Sequence, residues 1–229
     1  MDGTRATPQQ RHLPSLLLLK CDYSDAAEAP KPLPCWRDSD PLSSLSMADA
    51  QYAVVAYLPG SPAEFVNGLR RRFNPVPPAG KPHVTILPPR SLSTPLGEPL
   101  EAIRKQCAEF QPFEVELHGP STFWPVSGVV YLSLSHGFEQ LVQLHDALNT
   151  GGLRRQEAHP YVPHVTIAQE LNKTDTQAVL ADVTRGWLKY RDANSFRVEC
   201  LFLVEQTSEI AWTDLSCILL GGHLAPSQR

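Results

Sequence analysis

Most of the motifs by which a catalyst or a membrane protein is recognised are missing from these 229 residues. There is no Cys-x-x-Cys pair. The five cysteines, Cys21, Cys35, Cys107, Cys200 and Cys217, are isolated and odd in number, so their spacing supports neither a zinc knuckle nor a disulfide framework. They read as reduced thiols, with Cys200 and Cys217 placed to face each other across a C-terminal hairpin. There is no H-E-x-x-H, and His159 and His164 have Pro160 and Pro163 between them, which excludes a helical zinc pair. No Walker loop or G-x-G-x-x-G signals ATP or dinucleotide use, and no G-x-S-x-G elbow signals a serine hydrolase. Neither a metal nor a cofactor is expected. No apolar run approaches the roughly 20 residues of a membrane span. Leu16–Leu19 is short, ends at Lys20 and lacks a small-residue cleavage site. Cys21 follows the leucines as in a lipoprotein signal, but Lys20 stands where a small residue is needed. The chain reads as cytoplasmic, with no membrane association. Excess positive charge is lacking too: the net charge is −4, which argues against a grip along long nucleic acid. A nucleic-acid ligand would be a short piece or an end held in a local pocket.

What is present divides in two. Residues 1–46 hold six prolines, many small polar residues and no periodicity, and read as a disordered tail. Met47 is an alternative start. Residues 47–229 alternate between strand and helix patterns. Tyr52–Leu58 reads as a buried strand, and Ser61-Pro62 opens a helix to about Phe73, with Ser61 as the N-cap. Strands are predicted over His83–Leu87, Phe113–His118, Val129–Ser135, His164–Ala168, Phe196–Gln206 and Ile210–Leu219. Helices are predicted over Glu98–Phe110, Phe138–Leu148 (ended by Gly151-Gly152) and Asp175–Tyr190. The pattern is α+β, in two similar halves.

The decisive feature is a repeat. Residues 82–86 read Pro-His-Val-Thr-Ile, and residues 163–167 read Pro-His-Val-Thr-Ile again. At average amino-acid usage such a coincidence arises in only ~2% of chains this size. Each copy follows a proline-bearing loop and opens a short strand. Side chains alternate along a strand, so His83 and Thr85 share one face and Val84 and Ile86 the other. The same holds for His164 and Thr166 against Val165 and Ile167. If the halves are related by a pseudo-twofold axis, two imidazoles and two hydroxyls meet in one cleft. That set suits phosphodiester cleavage. Imidazole titrates near neutrality, so one histidine can be neutral and take a proton from the attacking oxygen. The other, charged, protonates the leaving oxygen. The threonine hydroxyls can donate to the non-bridging oxygens as charge builds there. His12, His118, His136, His145, His159 and His223 lack this context.

Paired His-x-Thr motifs in an α+β domain resemble the two-histidine (2H) phosphoesterase superfamily, and within it the RNA 2′,3′-cyclic phosphodiesterase, or 2′-5′ RNA ligase-like, group. The resemblance spans Met47 to about Leu220. It implies a bilobal fold, with two pseudo-twofold-related lobes whose antiparallel sheets surround a central cleft and whose helices lie outside. It implies catalysis by His83 and His164, with Thr85 and Thr166 binding the substrate. The implied reaction is metal-independent hydrolysis of a 2′,3′-cyclic phosphate, on a small nucleotide or an RNA 3′ end, to a 2′-phosphate by a monomer. A 2′-5′ RNA ligase, a 2′-5′ phosphodiesterase or a non-catalytic nucleotide-binding module on the same site are the alternatives. Lys81, Arg90, Arg154 and Arg155 are the basic residues placed to meet a phosphate or base. Tyr161 either stacks on a base or packs its own loop, and Phe123 and Trp124 lie in a loop from which they either reach the cleft or pack in the core.

Overall fold

The computed structural model describes residues 50–74, 80–208 and 211–222. The expectations for the tail, the Met47 start, Cys21, Cys35, His12 and His223 lie outside the described residues. The described residues all belong to one compact unit, residues 43–229.

Strand β1 (Tyr52–Tyr57) arises from a run of β-branched and aromatic residues. Helix α1 (Gly60–Phe73) follows, then β2 (His83–Arg90) and α2 (Gly97–Ala108). The chain continues through β3 (Phe113–Thr122), β4 (Val130–Leu134), α3 (Phe138–Leu148) and β5 (Val165–Ala168). It closes with α4 (Lys173–Trp187), β6 (Ser195–Val198), β7 (Cys200–Gln206) and β8 (Trp212–Leu219).

Three local expectations are corrected. Gly60, at φ +59°, turns the chain into α1 before Ser61, so Ser61 lies inside the helix and no side chain caps its start. Helix α3 stops at Leu148, before the two glycines: the Asn149 N–H bonds to the His145 carbonyl, and Gly151–Leu153 form a short 3-10 turn. The predicted strand Phe196–Gln206 is two strands broken at Glu199, and they pair with different partners, β6 with β3 and β7 with β1.

All strand pairs are antiparallel, in the order β6-β3-β4-β5-β2-β1-β7-β8. Read outward from the middle, each half repeats one plan. A motif strand (β5 or β2) lies beside the strand that precedes it through a helix (β4 or β1), and two more strands complete the half. The halves meet where Val84 pairs with Val165. Side chains from all four helices enter a single apolar cluster on one face of the sheet, with Val66, Ile103, Leu144 and Val183 among them. That cluster takes in Val84, Ile86, Val165 and Ile167, each at most 1% exposed. Burial of each contributes roughly 1.5–3 kcal/mol, so the hydrophobic half of each repeated pentapeptide fastens its strand to the helices. The opposite face is left to the polar half.

Candidate functional site

Extending the Val84↔Val165 register by one residue sets His83 opposite Thr166 and Thr85 opposite His164. Directly opposed side chains on an antiparallel pair lie about 5 Å apart at Cβ, and diagonal ones about 7–8 Å. The two histidines form a diagonal across the seam. All four residues are half-buried, whereas the alternating valines and isoleucines are fully buried. The structure therefore brings His83, Thr85, His164 and Thr166 together on the helix-free face.

The two histidines are held in the same way. Nδ1 of His83 lies 2.8 Å from the Lys81 carbonyl, and Nδ1 of His164 lies 2.7 Å from the Val162 carbonyl, in each case two residues back. A carbonyl only accepts, so Nδ1 carries the hydrogen in both rings, and Nε2 is the nitrogen that gains and loses a proton.

Their surroundings differ. Removal from water is the main force holding His83 below its ordinary value near 6.5; the Lys81 carbonyl acts the other way, and the charges of Arg70 and His164 push it further down. His164 is also lowered by burial, opposed by the Val162 carbonyl. Around His164 stand aromatic rings: Phe123 edge-on at 4.9 Å and Tyr131 at 5.0 Å, the two stacked on each other at 4.3 Å. Beside His83 lie Tyr57, at 6.3 Å, and Phe202, packed on Tyr57 at 4.6 Å. Lys81 sits over the Tyr57 ring at 4.7 Å and pairs with Asp214 at 3.4 Å, and the Tyr57 hydroxyl donates to Asp214.

The other flagged residues fare unevenly. Lys81 borders the site. Arg90 does not reach it: 3% exposed, it is committed to Glu157, Asn149 and the Leu153 carbonyl. Arg155 bonds the Pro89 carbonyl, and Arg154 is exposed. Tyr161 does not pack its own loop: its ring lies flat on His145 of α3 at 4.0 Å. Cys200 and Cys217 are reduced and neighbour one another diagonally across β7 and β8. Burial, reinforced by Cys217, pushes the Cys200 thiol up to about 12. Sequence reasoning missed Arg70, Tyr57, Tyr131, Phe202 and Asp214. Only the outward faces of the strands beside each motif marked any of them, and the pairing that makes those strands neighbours is not local. Among the described residues no three His, Cys, Asp or Glu side chains gather as a metal site, and no helix is long and apolar enough to cross a membrane.

Paired His-x-Thr strands at the centre of a pseudo-symmetric α+β sheet define the two-histidine class of protein. The profile of the 2′-5′ RNA ligase superfamily matches residues 58–209, and the chain belongs to that superfamily. It is 30% identical over 173 residues to a candidate phosphoesterase of Bacillus licheniformis, covering 75% of this chain and 99% of that protein. It is 28% identical over 172 residues to another of Oceanobacillus iheyensis, covering 75% and 98%. The fold is shared with Escherichia coli LigT crystallised with 3′-AMP, with a TM-score of 0.52 at 18% identity over 74% of this chain and 97% of that one. LigT crystallised with ATP gives 0.50 at the same identity, over 74% and 97%.

Proposed function

We propose that this protein is a phosphodiesterase that hydrolyses a 2′,3′-cyclic phosphate, on a nucleotide or an RNA end, to a 2′-phosphate without a metal. The observation that carries the reading is the matched pair of histidines. Each has Nδ1 tied to the carbonyl two residues back and Nε2 left to exchange protons, and the two lie diagonally across one gap. The relatives described as phosphoesterases support the class of reaction. LigT, crystallised with 3′-AMP and with ATP, supports a small nucleotide as ligand.

In this reading neutral His83 is the base. Arg70 and the second histidine disfavour its protonated form. His164 is the acid: the Arg70 charge that disfavours the imidazolium of His83 is not among the groups acting on it. Water attacks phosphorus opposite the 3′-oxygen as His83 Nε2 takes its proton. The P–O3′ bond breaks, and His164 Nε2 gives a proton to the departing oxygen, leaving a 3′-hydroxyl and a 2′-phosphate. Thr85 and Thr166 donate to the non-bridging oxygens.

The test is turnover of 2′,3′-cyclic AMP and of a short RNA with a 2′,3′-cyclic end, in EDTA. Release of a 2′-phosphate is expected. It should fall by several orders of magnitude in His83→Ala and His164→Ala, and by roughly 10- to 1000-fold in Thr85→Ala and Thr166→Ala. Activity lost to EDTA and restored by zinc would overturn the metal-free step. Binding without turnover would point to a nucleotide-binding module.

A further inference from the structure

Strand β2 carries the first motif, but backbone pairing joins it to β5 at one position only, Val84↔Val165. Past that point, carbonyls of β2 are met by side chains. The Tyr161 hydroxyl donates to the Thr85 carbonyl at 2.8 Å, and His145 Nδ1 donates to the Ile86 carbonyl at 2.8 Å. Arg90 Nε donates to the Pro88 carbonyl at 2.9 Å, and Arg155 donates to the Pro89 carbonyl. These side chains hold one another. Tyr161 and His145 are stacked within 5° of parallel. Glu157 joins His145, at 3.7 Å, to Arg90, at 3.1 Å. Asn149 binds Arg90 at 2.8 Å and the backbone of Arg155 at 2.8 and 3.0 Å. Arg90 and His145 are buried charged or polar side chains of the kind that persist only when satisfied; their partners are this network and, for Arg90, the Leu153 carbonyl as well.

Tyr161 stands three residues before His164. Its hydroxyl therefore ties the loop that delivers the second motif to the backbone of Thr85 in the first. Burial and the nearby Glu157 hold the phenol well above its ordinary range, so it stays protonated and keeps its donor.

We infer that Tyr161, backed by His145, Glu157 and Arg90, is a positioning residue: a side-chain clasp that replaces the missing β2–β5 backbone pairing and sets the distance between the two His-Thr pairs. Tyr161 touches neither substrate nor the reacting atoms. It acts through Thr85 and through its own loop. A displacement of about 1 Å between reacting groups can cost ~100-fold in rate, so a clasp across the seam bears on turnover more than on affinity.

This inference rests on the proposed cyclic phosphodiesterase reading for its kinetic arm, and is tested with a second arm that does not. Tyr161→Phe deletes one hydroxyl and keeps the stacked ring. Hydrogen exchange on the full chain should show amides around Thr85–Leu87 exchanging at least fivefold faster, with those of β7 and β8 unchanged. With 2′,3′-cyclic AMP, kcat should fall about 10- to 100-fold at near-constant KM and Tm. Unchanged exchange around Thr85 overturns the clasp, and so does a drop in kcat matched by a general loss of Tm. Wild-type protein that does not turn over the nucleotide removes the substrate reading, and exchange alone then decides the clasp. Full kcat in Tyr161→Phe, with faster exchange, overturns its role in positioning.

Discussion

A hydrogen bond to a carbonyl decides which nitrogen of each histidine titrates, and the charges within reach decide where. His83 and His164 share the first feature and differ in the second: Arg70 acts on His83 alone. Arg70 is itself 8% exposed, with an Nε that has no partner and one Nη bonded to the Gly80 carbonyl at 3.2 Å. No carboxylate is paired with it among the described residues, so its charge is little compensated. Both imidazoles should therefore titrate below 6.5 when followed by NMR, with His83 the lower. Arg70→Met keeps the bulk and removes the charge; it should raise the His83 midpoint and leave that of His164 in place. Equal shifts in both would mean a general loosening. Stability follows the same direction. The folded-state values lie below those of the unfolded chain, so the unfolded chain binds more protons as pH falls through 6.5, and stability declines there while it is full above. The two limbs of kcat/KM report these free-enzyme groups, which places the maximum on the acid side of 6.5.

Helix α3 shows how an element is aimed at the site. It starts at Gly137, φ +77°, where a Cβ would lie 2.5 Å from the Glu114 carbonyl. Gly137→Ala combines a left-handed backbone, about 1–2 kcal/mol, with displacement of β3. Urea unfolding should show a loss of about 3 kcal/mol, and a loss under 1 would mean the contact relaxes freely. Helix α3 also carries His145, so its placement reaches β2. The strands and helices were legible because their signals are local: alternation in His83–Ile86 and His164–Ile167, and the 3.6 period of Phe138–Leu148. The four candidate residues could be singled out because the repeat names them twice. What was not legible depended on contacts between distant segments. Phe196-Arg197-Val198-Glu199 runs directly into the continuous apolar stretch Cys200–Val204, and only the partners of β6 and β7 split that strand. Arg90 stood among four basic residues placed to meet a phosphate or base, because the local sequence says nothing of Glu157. Tyr161 offered two readings from its loop, and its ring lies instead on His145, a residue of α3 that the loop's own sequence does not name.

At the scale of the whole described unit, the two halves are joined narrowly in the sheet and broadly beneath it. The backbone seam is one residue pair, Val84↔Val165, while the apolar cluster runs unbroken from Phe196 and Leu134 in one half to Leu203 and Ile218 in the other. Each half contributes one histidine, so a molecule whose halves came apart first would lose the pair while both sheets survived. The shared cluster argues against that order, because separating the halves would expose apolar surface of both. Unfolding in urea should then be a single transition, with tryptophan fluorescence and far-ultraviolet circular dichroism coincident. Val165→Ala, at the centre of the seam and 0% exposed, should shift both signals together, by roughly 2 kcal/mol, with the denaturant slope unchanged. Two separated transitions, or a shift in fluorescence alone, would mean the halves fold independently. The seam, rather than the common core, would then be what keeps His83 and His164 within reach of one phosphate.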